Sequence, residues 1–146
     1  MRRLLLVFAL VVFAGCVSAP SRYGNFSTAP SVASTDMAND ATKQLAVLFP
    51  PALTRLDLLG PTGDAFGTAL VTGLRTKGYA VAEYAPPSDA EAAPPANGTP
   101  FAYALNQEGN TNTYFLTLFV GTQTLSRIYV TQTNGARPAG AWAHKE

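Results

Sequence analysis

Apolar side chains recur along this chain with two different periods, and each change of period predicts where a helix gives way to a strand. Within residues 36–49 they return every third or fourth position, which is typical of a helix with one buried face. That face consists of Met37, Ala41, Leu45 and Leu48. Thr35 or Asp36 can cap this helix, and Pro50-Pro51 ends it because proline lacks the backbone N–H donor that a helix needs.

A strand, a helix and a second strand follow. Residues 53–59 alternate between apolar and charged side chains, as a half-buried strand does. The next helix is predicted to begin at a Thr62 cap, with Asp64 in its first turn, and to close at Gly78. Its buried stripe, spaced every fourth residue, consists of Phe66, Leu70 and Leu74. Residues 79–84 form the next strand, so this segment is a β-α-β unit.

The remaining chain predicts a proline-rich surface loop at 85–100, followed by three strands. The strand-like runs are 101–107, 113–121 and 125–132. The middle run is apolar on both faces and should lie in the centre of the sheet. Asn134-Gly135 signals a hairpin turn, although Pro138 weakens any strand after it. These elements predict an α+β domain with two helices on one face of a small mixed, mostly antiparallel sheet.

The first sixteen residues have the layout of a bacterial lipoprotein signal. Arg2 and Arg3 precede an uncharged apolar run that ends in small residues and Cys16, the only cysteine of the chain. Cleavage before Cys16 leaves this cysteine as an acylated N-terminus. The apolar run is shorter than the ~18 residues that a membrane span needs. The alternative is an ordinary signal peptide in which the cysteine is incidental.

The predicted organisation is a signal peptide at 1–15, a lipidated extended tether at 16–35 and one domain at 36–146. The tether is rich in Ser, Ala and Pro, without periodicity. As a flexible coil, a segment of this length reaches roughly 25 Å from the membrane.

Composition narrows the function classes. Charged residues make up 13% of the chain, about half the ~25% of an ordinary soluble domain. Acidic and basic residues are nearly balanced, so the chain lacks the strong positive charge that is typical of a nucleic-acid-binding domain. Such a surface suits either a protein packed against neighbours or an ordinary periplasmic domain. A lipidated Cys16 leaves no thiol for a disulfide or a metal site.

The chain offers no arrangement of residues for catalysis, and we expect neither an enzyme nor a cofactor or metal. The only histidine, His144, lies two residues from the C-terminus, where mobile backbone would not hold a catalytic base. The acidic residues are scattered. We assign Asp36 and Asp40 to the helix dipole, Asp64 to a cap and Asp57 to a solvent-facing strand position.

Five residues are candidates for binding a partner. Tyr23, Asn25 and Phe26 lie in the tether, and we interpret them as a docking peptide, with incidental exposure of the two rings as the alternative. Arg127 shares a strand face with apolar residues, where it either extends to the surface or binds a partner. Trp142, the only tryptophan, either closes the core at a sheet edge or serves as an exposed anchor.

The order and spacing of nine motifs resemble the TrbH family of conjugal transfer lipoproteins over nearly the whole chain. The motifs are the signal ending at Cys16, Tyr23-Gly24-Asn25-Phe26, Gln44-Leu45-Ala46, Phe49-Pro50-Pro51-Ala52, Asp64-Ala65-Phe66-Gly67, Gly78-Tyr79-Ala80-Val81, Val120-Gly121-Thr122-Gln123, Leu125-Ser126-Arg127 and Pro138-Ala139-Gly140-Ala141-Trp142. Their shared order carries the resemblance, since none is diagnostic alone.

The resemblance implies a structural subunit of a mating-pair-formation type IV secretion apparatus. Its partners would be a TrbG-like outer-membrane ring protein, a TrbI-like envelope-spanning protein and further copies of itself, without direct contact to nucleic acid. The expected location is the outer membrane, with a lipid anchor and a periplasm-facing domain. A pilotin-like or accessory lipoprotein of another envelope transport machine is the alternative, because the same scaffold would serve it.

Overall fold

Two helices lie on one face of an eight-stranded mixed sheet in the computed structural model, which describes residues 21–86 and 97–146. The helices are α1 (Ser31–Leu48) and α2 (Ala65–Thr76). The strands are β1 (Gly24–Phe26), β2 (Arg55–Leu58), β3 (Ala80–Ala82), β4 (Thr99–Gln107), β5 (Thr113–Val120), β6 (Gln123–Gln132), β7 (Gly135–Pro138) and β8 (Ala143–Lys145). The predicted α+β class is confirmed.

The strand order is β3-β2-β4-β5-β6-β7, with β1 beside β4 and β8 beside β6. The pairings of β2 with β3, β2 with β4 and β1 with β4 are parallel, and the other four are antiparallel. The predicted central position of the apolar strand is confirmed, since β5 lies between β4 and β6. The far edge of β6 is covered in two stretches, first by β7 and then by β8.

The core lies between the helices and the inner face of the sheet. Both predicted helix stripes are there: Met37, Ala41 and Leu45 of α1, and Phe66, Leu70 and Leu74 of α2, are fully buried. Leu48 is partly buried against them. Alternate residues of the long strands complete this core, among them Phe101, Leu105, Leu116, Leu118 and Leu125.

The helix starts differ from the prediction. The first helix begins at Ser31, after Pro30 and without a side-chain cap, because Ala33 and Ser34 are buried and packing holds the extra turn in place. In α2 the cap is Asp64 and not Thr62. The predicted end is confirmed, since Gly78 follows α2 with φ of 92°.

The segment predicted as an extended tether is partly folded. Gly24–Phe26 pairs with β4 in parallel register, Gly24 opposite Ala104, and α1 starts soon afterwards. A strand of three residues buries too few side chains to leave a period in the sequence. The predicted signal peptide, Cys16 and residues 87–96 of the predicted proline-rich loop lie outside the described residues. Within the described part, neither helix is long and apolar enough to cross a membrane.

Candidate functional site

Asp64 joins the N-terminal strand to the rest of the domain. Its Oδ1 accepts hydrogen bonds from the backbone N–H groups of Phe66 and Gly67, each at 3.0 Å, and from Asn25 Nδ2 at 3.2 Å. Its Oδ2 accepts a hydrogen bond from the Tyr103 hydroxyl. Burial, reinforced by the Asp64 carboxylate, raises the pKa of Tyr103, so this hydroxyl keeps its proton. Asn25 is therefore engaged within the chain.

The two aromatic residues of the N-terminal segment have different surroundings. The Tyr23 ring lies 5.4 Å from that of Phe119, centroid to centroid, and the Arg22 guanidinium lies 5.4 Å from the Tyr23 ring centroid. Tyr23 is half-buried, so its ring is not incidentally exposed. Phe26 is 53% exposed. Of the three N-terminal candidates, Phe26 alone keeps a large free surface.

Arg127 and Trp142 lie in one cluster together with Asp40 of α1. Arg127 Nη1 and the Tyr129 hydroxyl donate to Asp40 Oδ2 at 2.8 and 2.7 Å, and Arg127 Nε donates to the Gly140 carbonyl at 2.8 Å. The Arg127 guanidinium lies 5.6 Å from the Trp142 ring centroid. Burial, then the Asp40 carboxylate, raises the pKa of Tyr129, which stays a donor.

This cluster shows where both side chains lie within the domain. The Arg127 side chain is only 19% exposed and forms an ion pair with Asp40, so it does not extend along the surface. Trp142 packs against the core, with its ring 6.5 Å from that of Tyr129. Both residues hold the C-terminal segment onto the domain. A role toward a partner stays a proposal for either.

A bulge in the edge strand makes the cluster possible. β7 ends at Pro138 and β8 begins at Ala143, and the four residues 139–142 lie opposite only Arg127 and Ile128 of β6. The extra residues loop away from the ladder, which brings the Gly140 carbonyl and Trp142 to the helix side of the sheet. The dispersed Gly, Ala and Trp of this tail give no local signal of such a bulge.

Asp36 and Asp40 lie in the second and third turns of α1, so the helix-dipole interpretation of these two residues is wrong. Asp36 instead accepts a hydrogen bond from the Ala136 backbone N–H at 3.0 Å. Around it, an open polar cavity of about 850 Å³ lies between α1 and the turn that joins β6 to β7. Lys43 and Arg137 also line this cavity.

Two further polar residues differ from the expectations. Asp57 is only 8% exposed and accepts hydrogen bonds from Arg55 Nε at 3.0 Å and from Gly98 N–H at 2.8 Å, so it does not face solvent. His144 is held in β8, with Nε2 2.7 Å from Gln123 Oε1, so the C-terminus is not the loose end expected. Among the described residues, no group of three or more His, Cys, Asp or Glu side chains is placed to hold a metal ion.

The face of the sheet opposite the helices is uncharged across its three long strands. Side chains of directly paired residues share a face, and here they form three rows. The rows are Asn106, Phe115 and Ile128; Ala104, Thr117 and Ser126; and Ala102, Phe119 and Thr124. Phe115 and Ile128 are 38% and 42% exposed. We call this surface, with its three rows, the outer face.

Comparison with known proteins gives one match. The model of the family described as conjugal transfer protein TrbH matches residues 20–146, nearly the whole chain and all of the folded part described above. No curated protein matches the chain. No solved structure matches it either. The chain belongs to the TrbH family of conjugal transfer proteins.

Proposed function

We propose that this protein is a structural lipoprotein subunit of a conjugative type IV secretion apparatus, anchored in the outer membrane through Cys16. The observation that carries the proposal is the family match over residues 20–146, since that family serves conjugal transfer. The lipoprotein signal before Cys16 supplies the anchor, and the domain supplies a rigid body that would stabilise the core complex.

The two clusters support a mechanical role. Asp64 ties β1, the element nearest the anchor, to α2 and β4. The Asp40 and Arg127 ion pair ties the C-terminal segment to α1. Hydrogen-bonded charges hold the first strand and the C-terminal segment of the described domain in place. Such a domain would keep its shape inside an assembly. In this role the charged groups hold geometry and perform no chemistry.

The partners we propose are a TrbG-like ring protein, a TrbI-like envelope-spanning protein and further copies of this chain. Tyr23 and Asn25 are occupied within the domain, which leaves Phe26 as the exposed aromatic of the segment next to the anchor. Phe26 lies opposite Asn106, at the edge of the outer face formed by β1. An exposed aromatic side chain on a strand held in place loses little entropy on binding, so it suits contact with a ring protein that approaches the domain from this edge.

The anchor is tested with Cys16→Ser, and Ser18→Ala serves as the matched control two residues away. The serine variant should persist as the larger precursor, leave the outer-membrane fraction and lose DNA transfer, because no thioether can form. The control should behave as the wild type. A Cys16→Ser protein that fractionates with the outer membrane and supports normal transfer would refute the anchor.

A further inference from the structure

We propose that the outer face of the sheet lies against the surface of a phospholipid bilayer. This inference rests on the proposed lipid anchor at Cys16, and it names the surface of the domain that the anchor holds to the membrane. Three observations carry it: where the chain leaves the domain, what the outer face is made of, and which charges surround it.

The chain leaves the domain on the outer face. Tyr23 packs against Phe119, whose neighbours in β5 point into the core, so the described chain begins beside the outer face at Ser21. Only four residues lie between Cys16 and Ser21, and the five steps from one to the other span at most about 18 Å at ~3.3–3.6 Å per residue. To bring the helix side to the membrane, this length would have to pass the sheet edge and a helix layer about 10 Å thick. The outer face can approach the membrane without this longer path, because the chain leaves the domain beside it.

The outer face has the composition of an interfacial surface. Its three rows contain alanine, threonine, serine and asparagine around two exposed apolar side chains, Phe115 and Ile128, and no charged residue. Burying a charge against lipid is costly, whereas small polar and aromatic side chains settle in the headgroup region at little cost. The face is therefore compatible with close approach to lipid headgroups.

The charged residues near the outer face lie at its margins. Arg137 and Lys145 lie opposite Val130 and Thr124, and Arg22 stands beside Tyr23. Two acidic residues accompany them, since Glu108 bonds to Thr113 through its backbone and Glu146 follows Lys145. No charge of these strands therefore has to be buried when the centre of the face approaches lipid, and the basic side chains at its margins can attract anionic lipid headgroups.

The test uses the chain's single cysteine. In the mature lipoprotein the Cys16 thiol carries lipid, so a cysteine introduced elsewhere is the one free thiol for a fluorophore. Ile128→Cys and Phe115→Cys report on the outer face. Val32→Cys is the control, since it replaces an aliphatic residue 58% exposed in α1. The full-length lipidated protein is reconstituted into vesicles of phosphatidylethanolamine and phosphatidylglycerol that contain spin-labelled lipid, after circular dichroism has verified its fold.

We expect several-fold stronger quenching by the spin-labelled lipid at positions 115 and 128 than at position 32. Equal quenching at all three positions, in protein that floats with the vesicles, overturns the inference and leaves the anchor standing. Probes at 115 and 128 that are shielded from both lipid and aqueous quenchers show that a second copy or another protein covers the face, which also overturns it. Protein that carries no acyl chain by mass spectrometry and does not float refutes the anchor itself, and the inference falls with it.

Discussion

Asp64 accepts more hydrogen bonds than a helix cap requires. Two backbone N–H groups at the start of α2 would satisfy the capping role, yet the Asn25 amide and the Tyr103 hydroxyl also donate to this carboxylate. The last two donors come from elements 39 residues away on either side in the sequence. At the scale of one residue, the carboxylate is therefore a tertiary link as well as a local cap.

Asp64→Ala should destabilise the domain by more than a lost cap. The cap is worth about 0.5–2 kcal/mol and the orphaned Tyr103 hydroxyl about 1–3 kcal/mol, so we expect a loss of about 2–4 kcal/mol in the free energy of unfolding. Urea titration measures it. In the Asp64→Ala background, Tyr103→Phe should cost less than it does in the wild type, because the buried hydroxyl has then lost its acceptor. Additive losses in the two variants would contradict this link.

Asp57 should make stability depend on pH in the acid range. The Arg55 guanidinium, together with the Gly98 N–H, holds the pKa of Asp57 below its ordinary value of 3.8. A lowered folded-state pKa stabilises the fold above the unfolded-state pKa, and this contribution disappears as pH falls through the folded-state pKa. The stability advantage over Asp57→Asn should therefore be full above about pH 5 and shrink below 3.8. Urea unfolding at a series of pH values measures it, and a constant difference would contradict it.

At the scale of elements, the C-terminal segment behaves as one edge strand interrupted by a bulge. β7 and β8 pair with the same strand, and between them the Gly140 carbonyl and Trp142 contact Arg127 on the helix side. Arg127 then donates hydrogen bonds to the Gly140 carbonyl on one side and to Asp40 on the other. One guanidinium thus fastens an edge strand to a helix, which a lysine cannot do because it lacks the fixed fork of donors.

Arg127→Lys should loosen the bulge without unfolding the domain. Trp142 is the only tryptophan, so its fluorescence reports on this segment directly. We expect a red-shifted emission and stronger acrylamide quenching in Arg127→Lys, with the far-ultraviolet circular dichroism unchanged. Arg75→Lys is the matched control, since Arg75 forms its ion pair with Glu83 at the exposed surface of α2. Unchanged Trp142 emission in Arg127→Lys would refute the role of the guanidinium.

At the scale of the whole molecule, the core is one-sided. Helices cover the inner face of the sheet, and all the fully buried large side chains belong to that layer in the described part of the chain. Stability therefore depends on this core, since residues 21–86 and 97–146 place no second layer on the outer face that could compensate for a defect. The outer face is correspondingly free to be used for contact.

Phe66→Ala should lower both stability and abundance. Phe66 is fully buried, and truncation of such a residue costs about 3–5 kcal/mol, a large part of the ~5–15 kcal/mol that stabilises a domain. The melting temperature and the steady-state level in cells should fall together. Val47→Ala, at a position 75% exposed in α1, should change neither. A Phe66→Ala protein with normal melting temperature would contradict the assignment of this core.

The sequence by itself determined the elements that carry a period. The stripes of α1 and α2, the central β5 and the Gly78 helix end all follow from side chains a few positions apart, because burial of one face imposes 3.6-residue or two-residue spacing on its neighbours. The predicted lipoprotein signal and the family motifs are likewise local in the sequence. The five partner candidates were chosen on local grounds too, and four of them are engaged inside the domain.

Tertiary structure alone decided the rest. β1 has three residues and no period, and its place beside β4 depends on Asp64 and Tyr103. Arg127 and Trp142 meet because a bulge brings the tail to a carboxylate 87 residues before Arg127. The composition of the outer face depends on the register of β4, β5 and β6, because the register determines which residues form its three rows. Such contacts join residues far apart in the sequence, and hydrogen bonds at such separations impose no spacing on the residues near them.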